Sequence, residues 1–148
     1  MATAAEILNA TRDDPGQNSL LTIEAADELA VFDLSGDWET LEADEKAKYL
    51  VHATRMIKDP LLFPGLDLTD DAAYAAAQTA CFYQAMFLVR NLDDIRDAEN
   101  AMAMGAKAIS SPVGSVAVTR YSRANSRSKE AETALAGHCY FGPPRLLR

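Results

Sequence analysis

Two histidines, two cysteines and three Asp-Asp pairs are the residues of this 148-residue chain whose chemistry could serve catalysis or metal binding. His138 and Cys139 are adjacent, and a thiol beside an imidazole can make a nucleophile. Neighbouring side chains on an extended chain point apart, however, so these two alone do not form a thiolate–imidazole pair. His52 falls on the charged face of an expected helix and reads as a solvated residue. The pairs Asp13/Asp14, Asp70/Asp71 and Asp93/Asp94 could attract a cation, yet each falls at a turn or helix end, where capping and the helix dipole account for it. No zinc spacing, phosphate-cradling glycine loop, GxSxG elbow or dinucleotide fingerprint occurs. The expectation is a protein that is not an enzyme, with no catalytic residue, no cofactor and no metal.

A second chemistry is electrostatic. Residues 1–105 carry 20 acidic and 7 basic side chains, a net of −13, whereas residues 106–148 carry 2 and 7, a net of +5. An acidic body with a basic arm predicts that the arm meets something negative. Arg120, Tyr121, Arg123 and Arg127 could form a cation-plus-aromatic platform for a single-stranded nucleic acid. One tyrosine among three arginines is thin for that role. The overall charge of −8 opposes a general nucleic-acid binder. Cys81 and Cys139 lie far apart in sequence and read as free thiols of a reducing compartment. No secretory leader is expected.

The elements that must position these residues are mainly helical. Thr3 and Glu6 are spaced as a capping box for a short helix within the first dozen residues, and Asp13-Asp14-Pro15-Gly16 ends it in a turn. A second helix is expected from Thr22 to about Phe32, broken at Leu34-Ser35-Gly36. Trp38 and Leu41 lead into a helix over Glu42–Lys58. Its apolar face is Ala47, Leu50, Val51, Thr54 and Ile57, its charged face Glu45, Lys48, His52 and Arg55. Asp59-Pro60 stops it. Thr69 is expected to cap the longest helix, Ala72–Val89, with Asp70 and Asp71 at its positive end. That helix is apolar nearly all round, so it must be wrapped by its own domain or by neighbouring subunits. Its alanines supply too little transfer energy for a membrane span. A separate short helix is expected over Ile95–Met104.

Strand character follows in Lys107–Ser110 and Ser115–Thr119, flanking Ser111-Pro112-Val113-Gly114, which has the residue order of a type I turn with a following left-handed position. The expected β-hairpin carries Ile109, Val116 and Val118 on one face. A two-stranded hairpin is marginal in water, so it needs support. Ser128 can cap a short helix ending at Gly137. The prolines of His138–Arg148 predict an extended tail, and Leu146-Leu147 between Arg145 and Arg148 suits docking on a partner. The organisation read from the chain is an N-terminal helical extension (1–18), a helical body (19–105), a hairpin (106–120), a linker and short helix (121–137) and an extended C-terminal arm (138–148). The fold class is mainly α, a helical bundle around one long buried helix.

The order of features resembles the small head–tail connector (adaptor) proteins of tailed bacteriophages, a family sometimes labelled as primosomal-type single-stranded DNA-binding proteins. The resemblance covers about residues 20–148. It is densest in Leu21-Thr22-Ile23-Glu24-Ala25-Ala26-Asp27 and from Trp38 through Ala53-Thr54-Arg55-Met56-Ile57, and it continues in the alanine-rich helix and in Gly105–Val118. The chain departs from the pattern in its N-terminal helix and in lacking a basic, tryptophan-rich loop before the long helix. The resemblance implies a homo-oligomeric ring, commonly of twelve copies, in the neck of the virion, assembled in the bacterial cytoplasm. The ring would sit beneath the portal protein, extend the channel for genomic DNA without binding it specifically, and dock a downstream neck or tail protein, with no membrane involved. It implies portal contact through Tyr140, Phe141, Arg145, Leu146, Leu147 and Arg148, and subunit or tail contact through Ile109, Val113, Val116 and Val118.

Overall fold

The computed structural model describes residues 1–103, 108–111, 114–117 and 127–141. Within them the protein is mainly helical: α1 (Ala4–Ile7), α2 (Ile23–Ala30), α3 (Ala43–Lys58), α4 (Asp71–Ala103) and α5 (Lys129–Ala134), with strands β1 (Ala108–Ser111) and β2 (Gly114–Ala117) between α4 and α5. Residues 112–113 and Val118 lie outside the described residues. The strands pair antiparallel with Ile109 opposite Val116, and β1 lies against α4.

α1, α2, α4 and α5 each begin where a side chain replaces the missing partner of a first-turn N–H, and at the start of α3 the Glu45 carboxylate accepts from the Glu42 N–H. In α1 the Thr3 hydroxyl accepts from the Glu6 N–H at 3.3 Å, while the Glu6 carboxylate accepts from the Thr3 N–H at 2.8 Å. The Asp44 carboxylate of α3 also accepts from the Ala4 and Ala5 N–H groups, which ties this single turn to the body. Thr22 caps α2 through the Ala25 N–H at 3.1 Å. Asp59 ends α3 in extended geometry immediately before Pro60.

Several boundaries differ from the expectation: α1 is a single turn that stops at Ile7, well before Asp13, α2 stops at Ala30 rather than near Phe32, and α5 stops at Ala134 rather than at Gly137. Asp70, not Thr69, caps α4: its carboxylate accepts from the Ala73 N–H at 2.8 Å, whereas the Thr69 hydroxyl donates to Asp67 at 2.6 Å. The stretch expected as a separate helix from Ile95 continues α4 instead. No glycine or proline stands between Asp71 and Ala103, and acidic residues alone do not stop a helix. At 33 residues α4 is about 50 Å long.

The core forms where α3 and α5 pack on the middle of α4. Ala80, Cys81, Phe82, Gln84, Ala85, Met86 and Leu88 are all buried there, so the chain itself wraps this stretch of α4. Ala53 joins the buried face of α3, and Val51 lies at its edge. The segment Ser19-Leu20-Leu21 threads between the two long helices. The Leu20 N–H donates to the Thr54 hydroxyl at 2.9 Å, and its carbonyl accepts from the Gln78 amide at 3.1 Å. Trp38 is sealed beside Phe82, with ring centroids 5.7 Å apart, and its indole N–H donates to Asp27 at 2.8 Å. Asp27 also accepts from Lys46 at 2.9 Å, so one carboxylate joins α2, the Trp38 loop and α3.

Candidate interaction surfaces

Of the residues expected to contact a nucleic acid, Arg127 is the one the structure describes; Arg120, Tyr121 and Arg123 lie outside the described residues. The Arg127 guanidinium is committed within the chain. It donates to the Leu62 carbonyl at 2.7 Å, lies 5.1 Å from the centre of the Phe141 ring, and has its Nε 2.8 Å from the Glu132 carboxylate. This last contact is an ion pair without hydrogen-bond alignment, and both atoms are otherwise enclosed. A guanidinium held this way is a tie, not a free phosphate contact.

The same tie organises the start of the expected arm. Phe141 meets Phe63 edge-on at 5.8 Å, and the Tyr140 N–H donates to the Pro64 carbonyl at 3.1 Å. His138 and Cys139 close a turn, each N–H donating to the Leu135 carbonyl at 2.9 Å. Residues 138–141 therefore latch the C-terminal part onto the loop after α3. Phe141 is thus held on the chain's own core, while the Tyr140 side chain is exposed. Ser128 completes the latch: its N–H donates to the buried Gln84 amide oxygen at 2.9 Å, and its hydroxyl accepts from the Ala131 N–H. Arg145, Leu146, Leu147 and Arg148, and Val113 and Val118 of the expected hairpin, lie outside the described residues.

The groups that could do chemistry are dispersed. His52 is exposed on the outer face of α3. Cys81 is sealed between α3 and α4, 3.4 Å from the Thr54 hydroxyl, and burial pushes its thiol up to about 11. Cys139 is half-buried; burial raises its thiol, with Arg127 opposing. Among the described residues no three His, Cys, Asp or Glu side chains gather as a metal site. An apolar cleft of about 110 Å³ beside Ile57, Phe63, Leu66 and Leu68 is smaller than a typical cofactor site.

The surface that sequence reasoning missed lies between α2 and α3. Val31, Phe32 and Leu34 are 70%, 88% and 103% exposed. They sit on a loop fixed by Arg90 of α4, which donates to Asp33 at 3.2 Å, to the Ser35 hydroxyl at 2.8 Å and to Asp37 at 3.0 Å. Ser35 in turn donates to Asp33 at 2.6 Å, and Gly36 takes the positive φ of 69° that the turn requires. The Ser35 hydroxyl, with Arg90 adding to it, holds the Asp33 carboxyl below its usual range. Three large apolar side chains are thereby held in solvent on a braced loop. The signal was present as Val31-Phe32-Asp33-Leu34, but it reads equally well as the end of an amphipathic helix.

No helix among the described residues is long and apolar enough to cross a membrane. No protein-family model matches the chain, and no curated protein or solved structure does either.

Proposed function

We propose that the chain is a structural head–tail connector subunit of a tailed phage. It forms a homo-oligomeric ring of twelve copies in the virion neck, beneath the portal protein and above a downstream neck or tail protein. In this reading α4 is the axis of a helical bundle and the paired strands are a hairpin that meets a neighbouring subunit or the tail. The basic residues beyond the Phe141 latch, with Tyr140 at their root, are the arm that reaches the portal. The role is non-enzymatic.

The observation that carries the reading is the braced, solvent-exposed set Val31, Phe32 and Leu34. Apolar side chains scattered singly on a surface are ordinary, but a group of three held outward by an ion-pair network marks an interaction site. The acidic body adds support, because a negatively charged channel wall lets DNA slide without the phosphate attraction that drives non-specific binding. The single-stranded nucleic-acid reading is weaker, since Arg127 of its platform is committed inside the chain.

Quantitative mass spectrometry of purified, disrupted virions tests the proposal. The chain should fractionate with the portal and neck proteins at about twelve copies per particle, the number the family resemblance implies. Its presence in infected cells but not in virions would overturn the reading.

A further inference from the structure

We propose that the Val31, Phe32 and Leu34 surface is the seat of β1 and β2 from a neighbouring copy of this chain. This rests on the ring reading and names its subunit contact. The first argument is need on both sides. A two-stranded pair is marginal in water unless an apolar surface covers it, and the loop offers an apolar surface already fixed in place. A braced loop loses little conformational freedom on docking, so more of the contact energy appears as affinity.

The second argument is charge. Between Arg12 and Lys46 the chain carries 11 acidic residues and no lysine or arginine. Glu24, Asp27, Glu28 and Glu39, close to the patch in sequence, are exposed. The stretch 104–126 that contains the strands is the reverse, with Lys107, Arg120 and Arg123 and no acidic residue. An apolar patch with acidic neighbours in sequence, and a strand pair that sets Ile109 opposite Val116 within a basic stretch, are complementary in charge.

The third argument is reach, which selects another copy over the same one. The patch is anchored at Arg90, and α4 runs on to Ala103, about 20 Å farther along its axis, before the strands begin. β1 then lies against α4. A contact from the far end of one subunit to the loop of the next is head-to-tail, and repetition of such a contact closes a ring when the rotation permits.

Cysteine cross-linking of the full-length chain tests this, with Cys139→Ser removing the accessible native thiol. Leu34→Cys is combined with Ile109→Cys in one variant and with Val116→Cys, its cross-strand partner on the same face, in a second, so that failure of one strand substitution does not decide the result. Oxidation at high protein concentration should give a ladder of linked oligomers on a non-reducing gel, at least tenfold above any of the three single-cysteine controls. An internally linked monomer, or no linked species from either variant, overturns the contact. Electron microscopy of the same samples separates the two proposals. Rings without cross-links leave the connector reading standing and remove this interface; linked chains that never close into rings do the opposite.

Discussion

The middle of α4 and the loop after α2 are both apolar, but they face opposite fates. Around Cys81 and Gln84 nearly every side chain is buried by α3, α5 and the threaded segment Ser19-Leu20-Leu21. At Phe32 and Leu34 the side chains stand in water although ion pairs brace the backbone beneath them. The first region spends its hydrophobicity on folding. The second leaves it uncovered, which in the proposed reading is the difference between what holds one copy together and what joins it to the next.

Truncating the folded region should produce the largest effect. Trp38→Ala removes a fully buried ring from Phe82 and Asp27 and is expected to cost about 3–5 kcal/mol in urea unfolding. Trp38→Phe, which keeps most of the packing and loses the indole donor, should cost about 1 kcal/mol. Arg127→Ala breaks the C-terminal latch by freeing the Leu62 carbonyl, the Glu132 carboxylate and the Phe141 ring. A loss of about 2–3 kcal/mol is expected, with faster proteolysis near Tyr140 as a second readout. A change under about 0.5 kcal/mol would show that the latch is not part of the stable body.

At the uncovered loop the same kind of truncation should leave stability alone. Phe32→Ser combined with Leu34→Ser should change the unfolding free energy by less than about 0.5 kcal/mol, while self-association measured by sedimentation falls at least tenfold. If stability drops as it does for Trp38→Ala, the contrast between the two regions collapses.

Smaller effects sharpen the contrast chemically. Cys81, with its thiol near 11, has about one molecule in a thousand as thiolate at pH 8, and it is sealed as well. A thiol reagent should therefore modify Cys139 first and reach Cys81 only on unfolding. Asp33 gives the pH dependence. Its carboxyl is depressed in the folded state, so its contribution is fully present above the unfolded value of 3.8 and is lost as pH falls through the lower folded value. The unfolding midpoint should decline below about pH 4, and Asp33→Asn should reduce that slope slightly.

Much of the fold was legible because its signals are local. Thr3 with Glu6, Thr22, Ser128 and Asp59-Pro60 mark helix ends through one or two side chains each, and the structure places the ends there. The identity of the α4 cap was not legible, because Thr69 and Asp70 are both good capping residues and only the Asp67–Thr69 bond decides between them. The continuity of α4 past Asp93-Asp94 was misread by weighting charge over the absence of a breaker. The exposed apolar loop was the least legible. Val31, Phe32 and Leu34 have the types of core residues, and only the long-range bonds from Arg90, 53 to 57 residues away in sequence, turn their loop outward. Arg127 shows the converse, a residue that reads as a free cation until Leu62, Glu132 and Phe141 are brought around it.

Electron cryomicroscopy of intact virions that incorporate this chain tests the central claim most directly. The account predicts a ring of this chain between portal and tail, with α3, α4 and α5 packed as described and the Phe32–Leu34 loop of each copy covered by its neighbour. A neck with no density for the chain, or a ring in which that loop faces solvent on every copy, would contradict it.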